Sequence, residues 1–467
     1  MRWLALFLVC SVFLPVASAL AGSSEPLSGT QTWQAGAAAV VITPPEAMWM
    51  SGYASRDRPA QGKIHDLFVK ALALRDPGGR TAVLLTCDLV GIDRATSQQI
   101  CRRIQERHQL SRDQVAIATS HTHSGPVVGT NLLSMYSLEP SQQQLVQQYT
   151  GLLTDWCVTA ADQAVAALQP VQLQVSEGVA KFAVNRRNNR EPDVPMLRAE
   201  GKLVGPVDHR VPVLAARAAD GKLIAVLFGY ACHATVLSGM DWCGDWPGFA
   251  QLEIEKAHPG TIALFWAGCG ADQNPLPRRT VELAMEYGRQ AAVAVDQALA
   301  AQRTPVQGSL STVYREIDLA LDTLPTREQV EQDLKSENVY LVRRARGLIR
   351  QFEEHGSLAQ AYPYPIQVWS LGDAATLTFL GGEVVVDYSL RIQQELARDR
   401  SWVAGYSNDV MAYIPSRRVL MEGGYEGESA MIYYGLPTKW SADVEEHIIR
   451  EVRSLHAAVA KKGEVQK

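Results

Sequence analysis

Two closely spaced histidines, His121 and His123, are the residues of this sequence most suited to chemistry. They lie in the segment 120–126, which reads SHTHSGP and follows an apolar run typical of a buried strand. Residues i and i+2 of a strand point to the same side, so both imidazoles would face one side of a sheet edge. Neutral imidazole nitrogen is a preferred zinc ligand, and the pair could form half of a zinc site. The alternative, two hydrogen-bonded loop residues, stays open on this observation alone.

Two further candidate ligands also follow apolar runs. His233 comes after the run 223–230, and Glu383 comes after the run 375–380 and two glycines. A lone histidine in such a position is usually structural. A glutamate at a strand-to-helix turn often caps the helix, because negative charge is favoured at a helix N-terminus. Each residue becomes a candidate ligand only in combination with the others.

Apolar periodicity predicts the elements that must position these residues. Asp220-Gly221 and Gly372-Asp373 indicate hairpins, so part of the sheet structure should be antiparallel. We expect an α/β fold in one large domain, with mixed β-sheets covered by helices in an α-β-β-α-like layering. The helix-rich segment 323–364 carries no candidate residue, and we expect it to be an insertion or a covering layer. The predicted strands are 81–90, 115–120, 211–216 and 223–230, and the predicted helices are 95–108, 142–168, 281–301, 327–355, 384–397 and 442–459.

Composition bounds the class of protein. The chain has 467 residues, of which 47% are hydrophobic and 20% charged, enough for a sizeable core. Its 44 basic and 49 acidic residues are spread along the chain and give a net charge of -5. Without a basic patch or charged block, nothing indicates a nucleic acid as partner. The oligomeric state does not follow from the sequence.

The N-terminus predicts export. Met1-Arg2-Trp3 leads into an apolar run at 4–16 and then small residues that suit a cleavage site, so we expect a signal peptide at 1–21. The run is short for a membrane span, which makes an anchor the less favoured alternative. The protein would then be secreted or periplasmic. Six cysteines follow the signal peptide, and their spacing leaves both disulfides and buried thiols open.

Several short motifs, taken in order, resemble one family. HTHSGP at 121–126 is similar to the most distinctive motif of the neutral/alkaline (non-lysosomal) ceramidases, and the resemblance covers roughly 38–437. It implies a neutral-ceramidase-like zinc hydrolase domain, which we place at 38–459, between a linker at 22–37 and a flexible tail at 460–467. We expect the family's C-terminal immunoglobulin-like domain to be missing. The other motifs are Met50 to Ala54, Gly62 to His65, Thr86 to Leu89, Asn185-Arg186, Val207-Asp208, His233, Glu383, Tyr413-Ile414-Pro415 and Tyr425-Glu426-Gly427.

The resemblance implies the site and its chemistry. It implies one Zn²⁺ per chain, with His123, Arg186 and Tyr425 lining the site around the substrate amide. A zinc-bound water would attack the carbonyl. The expected reaction is hydrolysis of a linear amide, with the N-acyl bond of ceramide-like sphingolipids as the first substrate, and transient contact with a membrane surface would accompany a lipid substrate. The implied zinc ligands are His121, His233, Glu383 and Tyr413.

One position departs from the family pattern. Where the family has a proposed catalytic serine, this chain has Asn274, within the segment 270–275 that reads GADQNP. An amide is no nucleophile, so a covalent serine mechanism does not transfer. Asn274 could orient the substrate or donate to an oxyanion, or it could be a turn residue before Pro275. The alternatives are a zinc hydrolase of the same fold that acts on another amide, an ester or a glycoside, and a catalytically silent binding protein.

Overall fold

Mixed β-sheets form the interior of the fold. The computed structural model describes Met1 and residues 32–396 and 400–465. Apart from Met1, the predicted signal peptide 1–21 lies outside the described residues, as do residues 22–31 of the predicted linker. The first strand begins at Gln34, and Thr32–Lys467 forms one compact unit.

The first sheet leads to the two adjacent histidines. Its neighbouring strands Thr81–Cys87 and Val115–Thr119 run parallel, and the others pair antiparallel. Both parallel strands are buried at every position, as expected for strands covered on both faces. The strand order is Val115–Thr119, Thr81–Cys87, Phe68–Arg75, Gln34–Val41 and Gln169–Pro170.

The second and third sheets repeat this plan, each with one parallel pair at an edge. Both predicted hairpins are present: Arg210–Arg217 pairs antiparallel with Leu223–Tyr230, and Ala361–Leu371 pairs antiparallel with Ala375–Leu380. The second sheet has the order Ile262–Ala267, Leu223–Tyr230, Arg210–Arg217, Gln172–Val179 and Thr304–Pro305. The third has the order Leu310–Ala320, Ala361–Leu371, Ala375–Leu380 and Ser401–Ala404.

Short strand pairs join distant segments. Glu383–Val384 pairs parallel with Tyr413–Ile414, and Gln273–Pro275 pairs antiparallel with Ala183–Asn185. A third pair joins Gly62–Lys63 to Asp241–Trp242. Strands of two or three residues carry no detectable alternation, and the sequence did not predict these pairs.

Helices cover the sheets. Pro140–Ala166 packs on the first sheet, Val281–Ala300 on the second and Val444–Val465 on the third. The last helix therefore continues into the segment 460–467, where we predicted a flexible tail. The α-helices of the described residues are Arg94–His108, Pro140–Ala166, Val194–Ala199, Asp245–Ala257, Val281–Ala300, Arg327–Asp333, Val339–His355, Val386–Leu396, Arg417–Glu422, Met431–Tyr434 and Val444–Val465.

The predicted helix 327–355 is two helices. Asn338 interrupts the helix and caps the start of the next one. Its side chain accepts a hydrogen bond from the backbone N–H of Tyr340 at 3.0 Å. The second helix, Val339–His355, packs against the short helix Met431–Tyr434. The segment 323–364 is therefore partly a covering layer, although its last residues belong to the strand Ala361–Leu371 of the third sheet.

One apolar cluster is shared by all three sheets. It includes Leu84 of the first, Leu227 and Trp266 of the second, and Leu377 and Trp402 of the third. Each of these side chains is at most 2% exposed, so the sheets bury their inner faces together. The predicted α/β class with mixed sheets covered by helices is confirmed. No helix among the described residues has the length and apolarity needed to cross a membrane, and the six described cysteines are buried free thiols.

Candidate active site

The predicted ligands come from three strand ends. His121 follows the strand Val115–Thr119 after one residue, and its backbone is left-handed with φ 59°, a conformation uncommon outside glycine. The strand ends before His121, so the two histidines are not strand neighbours as the sequence suggested. Their rings nevertheless converge, with Nε2 of His123 3.1 Å from Nε2 of His121. Backbone strain of this kind clusters at functional sites.

The short parallel strand pair places Glu383 beside Tyr413. The two residues are direct partners in the register of Glu383–Val384 and Tyr413–Ile414, although they lie thirty residues apart in the chain. His233 follows the strand Leu223–Tyr230, and its backbone carbonyl accepts a hydrogen bond from Nε1 of Trp246 at 2.9 Å. This packing fixes the loop that carries His233.

Hydrogen bonds to the backbone fix the tautomers of two histidines. Nδ1 of His121 lies 2.6 Å from the carbonyl oxygen of Val90, and Nδ1 of His233 lies 2.7 Å from that of Gly270. A carbonyl oxygen only accepts, so both Nδ1 atoms carry the proton and both Nε2 atoms present a lone pair. Such partners commonly orient metal-ligating histidines.

These lone pairs converge on a carboxylate oxygen. Oε2 of Glu383 lies 3.1 Å from Nε2 of His121 and 3.3 Å from Nε2 of His233. This oxygen is buried and accepts no hydrogen bond from the described residues. Lone pairs that face one another in a buried site are unfavourable unless a cation lies between them. The donor set therefore fits a metal ion.

The structure also brings His123 and Tyr413 to this cluster. One ligand nitrogen from each of His121, His123 and His233 lies within 4.8 Å of the others, so these three histidines could hold a metal ion. The hydroxyl of Tyr413 lies 3.5 Å from Nε2 of His233. The sequence placed His123 beside the substrate, whereas the geometry puts its Nε2 as near to His121 as Glu383 is.

The lowered pKa values of His123 and His233 keep both imidazoles uncharged, which is the form that binds a metal ion. Burial, followed by the charge of Arg186, lowers the pKa of His233 to about 4. Burial and the two neighbouring histidines also lower the pKa of His123 well below its ordinary value. At neutral pH His123 and His233 are therefore uncharged.

The remaining predicted residues line one side of the cluster. Asn274 and Arg186 meet because the strand Gln273–Pro275 pairs with Ala183–Asn185. Arg186 donates from Nη1 to Oδ1 of Asn274 at 3.2 Å and from Nη2 to the hydroxyl of Tyr413 at 3.1 Å. The Tyr425 ring lies 5.3 Å from that of Tyr413 and is 41% exposed, at the outer side of the group. All eight predicted site residues therefore lie in one region.

Two tyrosines of the site were missed by the sequence analysis. The hydroxyl of Tyr434 donates a short hydrogen bond to Oε1 of Glu383. The ring of Tyr406 packs 4.3 Å from the ring of His121, and its buried hydroxyl has no hydrogen-bond partner among the described residues. Neither tyrosine lies in a motif, and no spacing marked them.

Replacing Tyr434 by phenylalanine is expected to weaken metal binding. The hydroxyl anchors Oε1 of Glu383, which directs Oε2 toward the histidines. Loss of such a support typically lowers metal affinity about 10- to 100-fold. Zinc titration against a competing chelator measures the change. Tyr433→Phe is the matched control, since the Tyr433 hydroxyl makes no hydrogen bond to the described residues and its ring lies near those of Tyr340 and Tyr425. Equal zinc affinity in both variants would contradict the role of Tyr434.

The fold and the cluster define the class: a mixed α/β protein with a candidate metal centre at its strand ends. Comparison with known proteins gives the family. A model of the family described as neutral/alkaline non-lysosomal ceramidase, N-terminal, matches residues 33–269. The chain belongs to this family, as its motifs predicted. Family membership supports a hydrolase that acts on an amide bond.

Solved structures agree on the fold. The chain is similar to the crystal structure of neutral ceramidase from Pseudomonas aeruginosa, with 19% identity and a TM-score of 0.72, over 92% of this chain and 75% of that one. It is also similar to a ceramidase complexed with C2, with 18% identity and a TM-score of 0.72, over 92% of this chain and 76% of that one. These structures share the fold of the described chain.

Proposed function

We propose that the protein is a zinc-dependent hydrolase that cleaves the N-acyl bond of ceramide-like lipids. The proposal rests on one observation: the Nε2 atoms of His121 and His233 converge on Oε2 of Glu383, which has no hydrogen-bond partner among the described residues. His121, His233, Glu383 and Tyr413 would hold one zinc ion, with His123 close enough to join them. A bound zinc ion lowers the pKa of water toward neutrality and polarises a carbonyl oxygen.

The chain's own residues supply charge and hydrogen-bond donors for the substrate carbonyl. Burial lowers the pKa of Arg186, but Tyr413 and Glu426 raise it by more, so the guanidinium stays charged. Asn274 is 4% exposed, and its Oδ1 is bound by Arg186. Its Nδ2 donates no hydrogen bond to the described residues, so we propose that this group donates to the oxyanion that develops from the carbonyl.

Two other side chains complete the proposed site. His123 borders the predicted ligands and is uncharged at neutral pH because burial lowers its pKa. We propose that its ring accepts a proton from the attacking water and passes it to the leaving amine. Tyr425, partly exposed, would contact the substrate where it leaves the site. Because Asn274 occupies the serine position, we propose a route without a covalent acyl-enzyme.

The substrate class rests on the family. Members are named for ceramide hydrolysis, and we propose a lipid amide for this chain. We propose transient contact with a membrane surface as the means of reaching a lipid substrate. We also propose that residues 1–21 direct export.

The test measures zinc content together with release of fatty acid from a short-chain fluorescent ceramide. We expect about one zinc per chain, loss of amide cleavage after chelation, and recovery when zinc is added. An N-acyl amino alcohol, a matched ester and a glycoside are assayed in parallel. A zinc-loaded protein that cleaves only the ester or the glycoside would overturn the amide assignment and leave the metal site. A folded protein that binds no zinc would overturn the proposal.

A further inference from the structure

A buried carboxylate on the turn after Tyr425 lies behind the substrate-facing residues. Glu426 belongs to the π-helical turn Tyr425–Ser429 and its side chain is 5% exposed. Oε1 accepts a hydrogen bond from Nε of Arg186 at 2.7 Å, and Oε2 accepts one from Nη1 of Arg187 at 2.5 Å. Two consecutive arginines, Arg186 and Arg187, thus each form an ion pair with a different oxygen of the same carboxylate. Isolated π turns occur frequently at functional sites.

Glu426 is the only carboxylate that pairs with Arg186 among the described residues. The other two hydrogen bonds that this guanidinium makes to the described residues go to neutral groups, the Asn274 side-chain oxygen and the Tyr413 hydroxyl. Hydrogen bonds between ionised partners are about twice as strong as neutral ones. Since a guanidinium is planar and rigid, fixing its Nε edge also fixes the directions of Nη1 and Nη2.

The carboxylate is itself held in place and stays ionised. Burial raises the pKa of Glu426, but the charge of Arg186 and its hydrogen bond lower it by more. Arg187 also donates to Glu422 at 3.0 Å and to the carbonyl oxygen of Gly423 at 2.9 Å, so it connects the carboxylate to the end of the preceding helix. Arg186 therefore cannot rotate without breaking its ion pair with Glu426.

We propose that Glu426 is a positioning residue: through Arg186 it sets the orientation of the Asn274 amide toward the substrate. Arg186 binds Oδ1 of Asn274, which leaves the Nδ2 hydrogens without a hydrogen-bond partner among the described residues. Glu426 itself touches neither the metal cluster nor the reacting atoms. The expected effect on catalysis rests on the proposed function. The expected effect on the orientation of Arg186 and Asn274 does not depend on that function.

Glu426→Gln removes the charge and keeps the shape of the side chain. On whichever substrate the wild type cleaves, we expect kcat to fall about 10- to 100-fold, since a small misplacement of a catalytic group costs this much. KM should stay within about threefold, because the ground-state contacts remain. Zinc content should be unchanged. The matched control is Glu428→Gln on the same turn, whose side chain is 60% exposed and forms an ion pair, among the described residues, with Lys439 at 4.0 Å only. It should keep wild-type kcat.

Two further measurements separate positioning from general damage. In a double-mutant cycle, Glu426→Gln should change kcat less than about threefold in an Arg186→Gln background, because the residues act as one unit. Crystal structures of Glu426→Gln and Glu428→Gln should show loss of the Arg186–Asn274 contact in the first only. An intact contact, additive effects, or loss of zinc with kcat would each overturn the proposal. Because the crystal structures need no substrate, they test it even if the wild type cleaves no ceramide.

Discussion

The His121→Ala protein is expected to lose its bound metal and its amide hydrolase activity together. Nε2 of His121 lies 3.1 Å from both Oε2 of Glu383 and Nε2 of His123, so it is the centre of the cluster. Loss of a residue that only supports a ligand costs about 10- to 100-fold in metal affinity, so loss of a ligand should cost at least about 100-fold. Zinc per chain after dialysis and fatty-acid release are measured on the same sample.

The control for this variant is a histidine outside the site. His108 pairs with Asp162 at 2.8 Å at the end of the helix Arg94–His108, and His108→Ala should keep zinc and activity. The melting temperature of the metal-free forms shows whether His121→Ala still folds. If folded His121→Ala retains both zinc and activity, His121 is not a ligand. If it retains zinc and loses only activity, the residue acts on the substrate instead.

The longer elements of the fold could be predicted because their signals are local. Asp220-Gly221 and the apolar runs beside it gave the hairpin of the second sheet, and the helix Arg94–His108 begins one residue from its predicted start. The break before Val339 was missed because the apolar periodicity was followed across Asn338, although asparagine is a residue that favours helix caps over helix interiors. Shared packing of the three sheets depends on long-range contacts that no periodicity reveals.

The residues of the candidate site could be predicted from the sequence, but the hydrogen bonds and strand pairing that hold them in place could not. Motifs predicted His121, His233, Glu383 and Tyr413 as ligands. In the structure a two-residue strand pair places Glu383 beside Tyr413, a pairing that no motif indicated. The hydrogen bond from Tyr434 to Glu383 links residues 51 positions apart. Such a contact is set by tertiary packing alone. Glu426 lies in a motif that the sequence analysis identified, but its ion pairs with Arg186 and Arg187 could not be predicted from the motif.

Replacing Asn274 by alanine is expected to reduce kcat strongly while zinc stays bound. The side chain lies where the family pattern has serine, and Arg186 fixes its oxygen, which leaves Nδ2 as a donor. Removing one oxyanion donor typically costs about 10²- to 10³-fold in kcat. Zinc content should not change, because Asn274 is not among the proposed ligands His121, His233, Glu383 and Tyr413. Steady-state hydrolysis of the short-chain ceramide gives kcat and KM separately.

Three substitutions at this position distinguish a donor from a spacer. Asn274→Asp keeps the shape and the contact with Arg186 but replaces the donor by an acceptor, so its kcat should fall at least as far as that of Asn274→Ala. Asn274→Ser restores a hydroxyl donor and should recover part of the loss. If Asn274→Ala and Asn274→Asp both keep kcat within about threefold of wild type, no oxyanion donor has been removed. Asn274 would then serve as a turn residue before Pro275, and Arg186 would supply the stabilisation of the carbonyl oxygen alone.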